Sequence, residues 1–126
     1  MSEPTSALHL ALIAAIDALV TCPVHDAVPQ KATYPYVVID STNINNEDFT
    51  NSRMDRRFVY LSIWSRVRGQ AEVMGIMSQL DAINNSPLTL STGAVHSVRV
   101  ERKRTNREPD NLTFMGHMTL RILTTH

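Results

Sequence analysis

Arg56-Arg57-Phe58-Val59-Tyr60-Leu61-Ser62-Ile63-Trp64-Ser65-Arg66 is the stretch whose reading decides the fold. Its apolar residues alternate in both phases, so Val59, Leu61 and Ile63 point to one face of a strand while Phe58, Tyr60 and Trp64 point to the other. A strand apolar on both sides is expected to be covered on both sides. Trp64 reads either as a ring in the core or as an aromatic anchor against a neighbouring subunit.

Upstream, Tyr36 to Asp40 is a second β-rich run, introduced by Pro35 where a strand start tolerates proline. Asn43 to Asp55 lies between the two runs and is rich in Asn, Asp and Glu, which reads as a long connection or an interaction loop. Val24 to Asp26 reads as a short strand, and Ala27 to Pro35 as loop. The first segment, Ser6 to Val20, repeats Leu8, Leu12, Ala15, Ile16 and Leu19 along one side of a helix, while Leu10, Ile13 and Val20 widen the stripe. Pro4 suits the first turn of that helix and Pro23 its far end.

Downstream, Gly69 to Asn84 returns to helical spacing through Val73, Ile76, Met77, Leu80 and Ile83, with Asn84-Asn85-Ser86-Pro87 as its stop. Ala94 to Arg102 and Thr113 to Leu123 read as the arms of a long hairpin, joined by a loop from Arg102 to Asn111 that is full of turn formers. This order predicts an α+β fold: a mostly antiparallel sheet with two helices packed on one face. Residues 1–126 are expected to make one domain, since 126 residues suit a single core.

The chain carries 12 Lys and Arg against 12 Asp and Glu, a net charge of zero, which argues against a polycation. The charge is unevenly placed. Residues 1–52 hold six acids and one base, a net of −5, and residues 53–126 hold six acids and eleven bases, a net of +5. If the two sets emerge on different sides, copies of one neutral protein would attract each other through unlike charges. The most basic stretch is 99–107, with five bases against Glu101. It admits three readings: a contact for nucleic acid, a solvated edge strand, or a protein interface. In the first of these, the protein is a small nucleic-acid-binding module using the basic hairpin at 99–107.

No apolar run is long enough to span a membrane, the longest being Ala7 to Val20, which His9 and Asp17 interrupt. No basic region precedes that run, so neither a signal nor a transit peptide is expected. The single Cys22 beside Pro23 reads as a small buried filler. The five histidines form no compact ligand pattern. His96 and His117, the best pair, fall on opposite faces of the hairpin if His96 sides with Val98 and Val100. There is no Gly-x-Ser-x-Gly elbow and no Gly-x-Gly, and the acids Asp40, Glu47 and Asp48 lie in or beside a polar segment with nothing to desolvate them. No catalytic residue, cofactor site or metal site is expected.

Five pieces of the sequence, in this order, carry a family resemblance. They are Val24-His25-Asp26-Ala27-Val28-Pro29; the Tyr34 to Ile39 strand; Leu61 to Arg66 followed by Gly69 and a helix with Glu72; Ser86-Pro87-Leu88-Thr89-Leu90; and the closing Glu108 to Arg121. Together they resemble the tail completion proteins, or tail terminators, of long-tailed bacteriophages and related gene transfer agents. Two positions depart from the pattern: Asn111 stands where relatives often have Gly, and His25 replaces a frequent aromatic.

The resemblance implies a structural subunit that closes into a homo-hexameric ring on the head-proximal end of the tail tube, assembled in the host bacterial cytoplasm. Such a ring would end tube polymerisation and join the major tail tube protein to the head connector or stopper, with genome DNA passing through its lumen without specific recognition. The family has no catalytic residues to carry over. Asp48, Arg53, Arg56, Arg57, Arg102, Arg104 and Arg107 are the charged residues expected at contacts with adjacent subunits or neighbouring rings.

Overall fold

The computed structural model describes residues 3–29, 31–47, 53–66, 70–84, 88–109 and 112–126. Asp48, Gly69, Asn85, Ser86, Pro87 and Asn111, singled out above, lie outside the described residues. The chain runs α1 (Thr5–Leu19), β1 (Val24–His25), β2 (Tyr36–Asn46), β3 (Met54–Ser65), α2 (Ala71–Leu80) with a single 3₁₀ turn over Asp81–Ile83, β4 (Ala94–Arg107) and β5 (Phe114–Thr125). The five strands form one sheet in the order β1-β2-β3-β5-β4. All pairs are antiparallel except β1 with β2.

Both helices pack on the face that carries Val37, Ile39, Val59, Leu61, Ile63, Leu120 and Ile122. The helix α1 contributes Leu8, Leu12 and Ile16, and α2 contributes Val73, Ile76, Met77 and Leu80. The 3.6-residue and two-residue periods of the sequence therefore meet in one apolar layer. Cys22 closes its margin, and burial pushes the thiol's pKa up, which keeps it protonated and inert. The wide stripe of α1 is not fully used, since Leu10 is 67% exposed.

Three expectations need correction. First, the polar segment Asn43 to Asp55 is strand at both of its ends: β2 continues to Asn46, paired with Asp55, and the Glu47 amide donates to the Met54 carbonyl at 2.7 Å, while residues 48–52 lie outside the described residues. Pairing satisfies the backbone whatever the side chains, so polarity here marks exposure and not a loop. The Arg102 to Arg107 stretch is likewise strand, paired with Thr119 to Phe114.

Second, among the described residues of the subunit the sheet is covered on one side only. On the face away from the helices Phe58 and Trp64 are half-buried and Tyr60 is 38% exposed. Trp64 is thus outside the helix-covered core.

Third, strict alternation fails at three bulges, which add Asp40, His96 and Glu101 to their strands. His96 does not side with Val98 and Val100; it is the extra residue of a bulge and is exposed.

The tightest joint between layers is at Gly116 on β5. A Cβ there would stand 2.6 Å from Val73 Cγ1 and 2.9 Å from Met77 Cε, so only glycine lets α2 settle on the sheet. Met77 has a flexible end, whereas Val73 is a branched side chain with no exposed surface. Gly116→Ala should therefore cost about 1–3 kcal/mol through overpacking, read as a lower midpoint in a denaturant titration. Gly75→Ala, where a Cβ meets nothing within 4 Å, is the control expected to leave stability unchanged or raise it.

Candidate interaction surface

Of the seven charged residues singled out by sequence, Asp48 lies outside the described residues and the other six do not form one site. Arg53 and Arg56 stand at the end of the β2–β3 arm, where Arg56 pairs with Glu47 at 3.0 Å. Arg107 ends β4 at the opposite end of the sheet, its guanidinium 5.5 Å from the Phe114 ring centre. A 12-residue strand such as β3 separates these ends by about 36 Å at ~3.3 Å per residue. Arg102 and Arg104 lie between them on the uncovered face, opposite Thr119 and His117.

Arg57 has a different role from the one expected. It is fully buried and makes no contact available to another chain. Its Nε donates to Thr124 Oγ1 at 3.0 Å, its Nη1 to Thr5 Oγ1 at 2.8 Å, and its Nη2 to Glu3 Oε1 at 2.6 Å and Asp55 Oδ2 at 3.4 Å. One guanidinium thereby ties the start of α1 to β3 and β5. Glu3 also accepts from the Thr5 amide at 2.7 Å, placing a carboxylate at the positive end of the helix. Hydrogen bonds from Thr5, then from Arg57, hold the Glu3 carboxyl below its ordinary pKa.

The uncovered face carries two unlike halves. On the β1–β2–β3 side, Tyr34, Tyr36, Trp64 and His25 form an aromatic strip: Tyr36 stacks on Trp64 with ring centres 6.4 Å apart and meets Tyr34 at 5.1 Å and His25 at 5.6 Å. Arg66 lies over Tyr34 at 4.6 Å. The indole Nε1 donates to Ser62 Oγ at 3.0 Å, and Ser62 in turn donates to Asp40 Oδ1 at 3.0 Å. Burial, then the hydrogen bond with Tyr34, pushes the Tyr36 phenol up to about 12, so that hydroxyl stays neutral across the physiological range. The β4–β5 side carries Arg99, Arg102, Arg104, Arg121 and His117.

Sequence reasoning placed Arg99 in the basic stretch 99–107 but missed the strip, because cross-strand neighbours such as Tyr36 with Trp64 follow from register and not from spacing along the chain. His117 lies on the uncovered face, opposite Arg104 and Ser62. Among the described residues no group of His, Cys, Asp or Glu is placed to hold a metal ion. No helix is long and apolar enough to cross a membrane.

A family model described as tail completion protein gp17 matches residues 7–125. Among solved structures, a chain of the virion of a native gene transfer agent (GTA) particle superposes with a TM-score of 0.77, covering 96% of this chain and 93% of that one. At 20% identity this likeness shows a shared fold. No curated protein matches the chain.

Two stability predictions follow from the Arg57 node. Arg57→Met removes the cation but leaves Asp55 buried, and should cost about 3–5 kcal/mol in equilibrium unfolding. Glu3 is half-exposed, so Glu3→Gln should cost no more than about 1 kcal/mol at pH 7. Because its folded pKa is lowered, the Glu3 contribution is complete above the unfolded value near 4.5 and is lost as pH falls through the lower folded value. The wild-type and Glu3→Gln melting curves should therefore converge in acid, below that window.

Proposed function

The chain belongs to the tail completion protein gp17 family, a family of structural virion proteins and not of enzymes, and on that premise we propose that it closes the head-proximal end of a phage-type tail as a homo-hexameric ring. In that position it ends polymerisation of the tube and links the major tail tube protein to the head connector or stopper, and its location is the virion. The observation that carries this reading is the aromatic strip on a sheet face the chain leaves uncovered. Half-exposed Phe58, Tyr60 and Trp64 beside buried Tyr36 make an apolar centre with a polar rim, the make-up of a surface that another subunit covers.

A contact between unlike surfaces of identical copies closes into a ring when the rotation allows it. The strip would meet the next copy. The two charged ends of the sheet, with Arg53 and Arg56 at one and Arg107 at the other, would face the layers above and below.

The experiment is assembly with and without tail tube protein, followed by light scattering and negative-stain imaging. Sixfold rings, and tubes whose growth stops when the protein is added, are the expected outcome. A protein that stays monomeric at high concentration and also leaves tube growth unchanged would overturn the reading. Trp64→Arg should abolish rings while the circular dichroism spectrum is retained, since the ring lies outside the helix-covered core.

A further inference from the structure

The net charge of zero conceals a local excess that appears only when each ion pair is placed. Of the basic residues on the five strands, Arg56 is paired with Glu47, Arg57 with Glu3 and Asp55, Lys103 with Asp81 at 2.6 Å, and Arg121 with Glu101 at 3.6 Å. Arg107 lies against the Phe114 ring. Among the described residues Arg99, Arg102 and Arg104 enter no ion pair and no ring contact, and all three are exposed.

These three stand in single file. Arg99 is opposite Arg121, Arg102 opposite Thr119 and Arg104 opposite His117, and those β5 partners are successive residues of one strand face. The bulge at Glu101 keeps the arginines on that face, at a pitch of about 6.5–7 Å, the two-residue repeat of a strand. Arg99 and Arg121 are also like charges directly across the ladder, and the Glu101 carboxylate, 3.6 Å from the Arg121 guanidinium, is paired with Arg121 and not with Arg99.

A second copy of the chain has little to offer these cations. Four of its six first-half acids are engaged within the subunit, Glu3 and Glu47 with arginines, Asp26 with His9 at 3.2 Å, and Asp40 with Ser62, while Asp17 is exposed on α1 and Asp48 lies outside the described residues. The idea that the −5 and +5 halves attract neighbours through unlike charges therefore loses most of its acids. The row flanks the aromatic half of the face without entering it: Arg121, Thr119 and His117 lie directly beside the arginines, and Phe58 and Tyr60 come one strand further on, beyond Arg121 and Thr119. A regular row of uncompensated guanidiniums over hydroxyl and imidazole groups suits a polymer of evenly spaced anions.

We infer that the uncovered face of β4 and β5 contacts the phosphate backbone of duplex DNA, independently of sequence, through Arg99, Arg102 and Arg104, with the Thr119 hydroxyl as a further donor. The inference rests on the charge inventory of the subunit and not on the ring. It also moves Arg102 and Arg104 from the subunit contact expected of them to a nucleic-acid contact.

The test is fluorescence anisotropy of a labelled random-sequence duplex with the full chain over a salt series. Wild type should bind at low salt, with log K falling against log salt at a slope of about −2.7 per subunit, or ~0.9 for each of three phosphates. The R99Q/R102Q/R104Q variant should melt like wild type, bind at least tenfold more weakly and lose most of that slope, while Lys31→Gln behaves as wild type. Absence of wild-type binding at about 50 mM salt, a triple variant that binds unchanged, or displacement of the duplex by poly-glutamate as readily as by unlabelled DNA would each overturn the inference. Rings that ignore DNA would count against it alone, and a DNA-binding protein that never forms rings would count against the ring alone.

Discussion

Two helices and five strands leave a geometric shortfall on which the rest of the molecule depends: α1 and α2 cover one face of the sheet, and no element among the described residues covers the other. Every strand residue is sorted by that fact. Val59, Leu61 and Ile63 are 1% exposed or less, while Tyr60, between two of them, is 38% exposed. The helix side is packed to the point where Gly116 must lack a side chain. The other side holds half-exposed aromatics, and three exposed arginines that enter no ion pair among the described residues.

The Arg57 node holds the covered side closed at its edge. A buried guanidinium is costly to desolvate, and its neighbours offset that cost only because all of them arrive together: Glu3 and Thr5 from the start of α1, Asp55 from β3 and Thr124 from β5. Apolar packing alone would let α1 slide along its stripe, since Leu8, Leu12 and Ile16 are similar in shape. Directional bonds from one fixed guanidinium set its position.

The sequence made the elements legible wherever apolar periodicity ran uninterrupted, as in Ser6 to Val20 and Arg56 to Arg66. It misled where polar residues extend strands beyond the reach of the helices, as at Asn43 to Asn46 and Arg102 to Arg107, because polarity reports exposure and says nothing about pairing. One signal was present but unused. Arg57 shares its parity with Val59, Leu61 and Ile63, which places it on the core side, whereas Arg56 shares parity with Phe58 and Tyr60. Neighbouring arginines of identical composition thus have opposite fates, and alternation alone distinguishes them. The arginine row had no such signal, since it requires both the register of β4 on β5 and the bulge at Glu101.

That bulge decides which residues the outer face presents. Under strict alternation Glu101 would take the outward place after Arg99, and Arg102 and Arg104 would turn toward the helices. Because the bulge absorbs Glu101, deleting that residue would leave Arg102 opposite Thr119 and Arg104 opposite His117. The chemistry of the outer face is thereby buffered against loss of a single codon at this point.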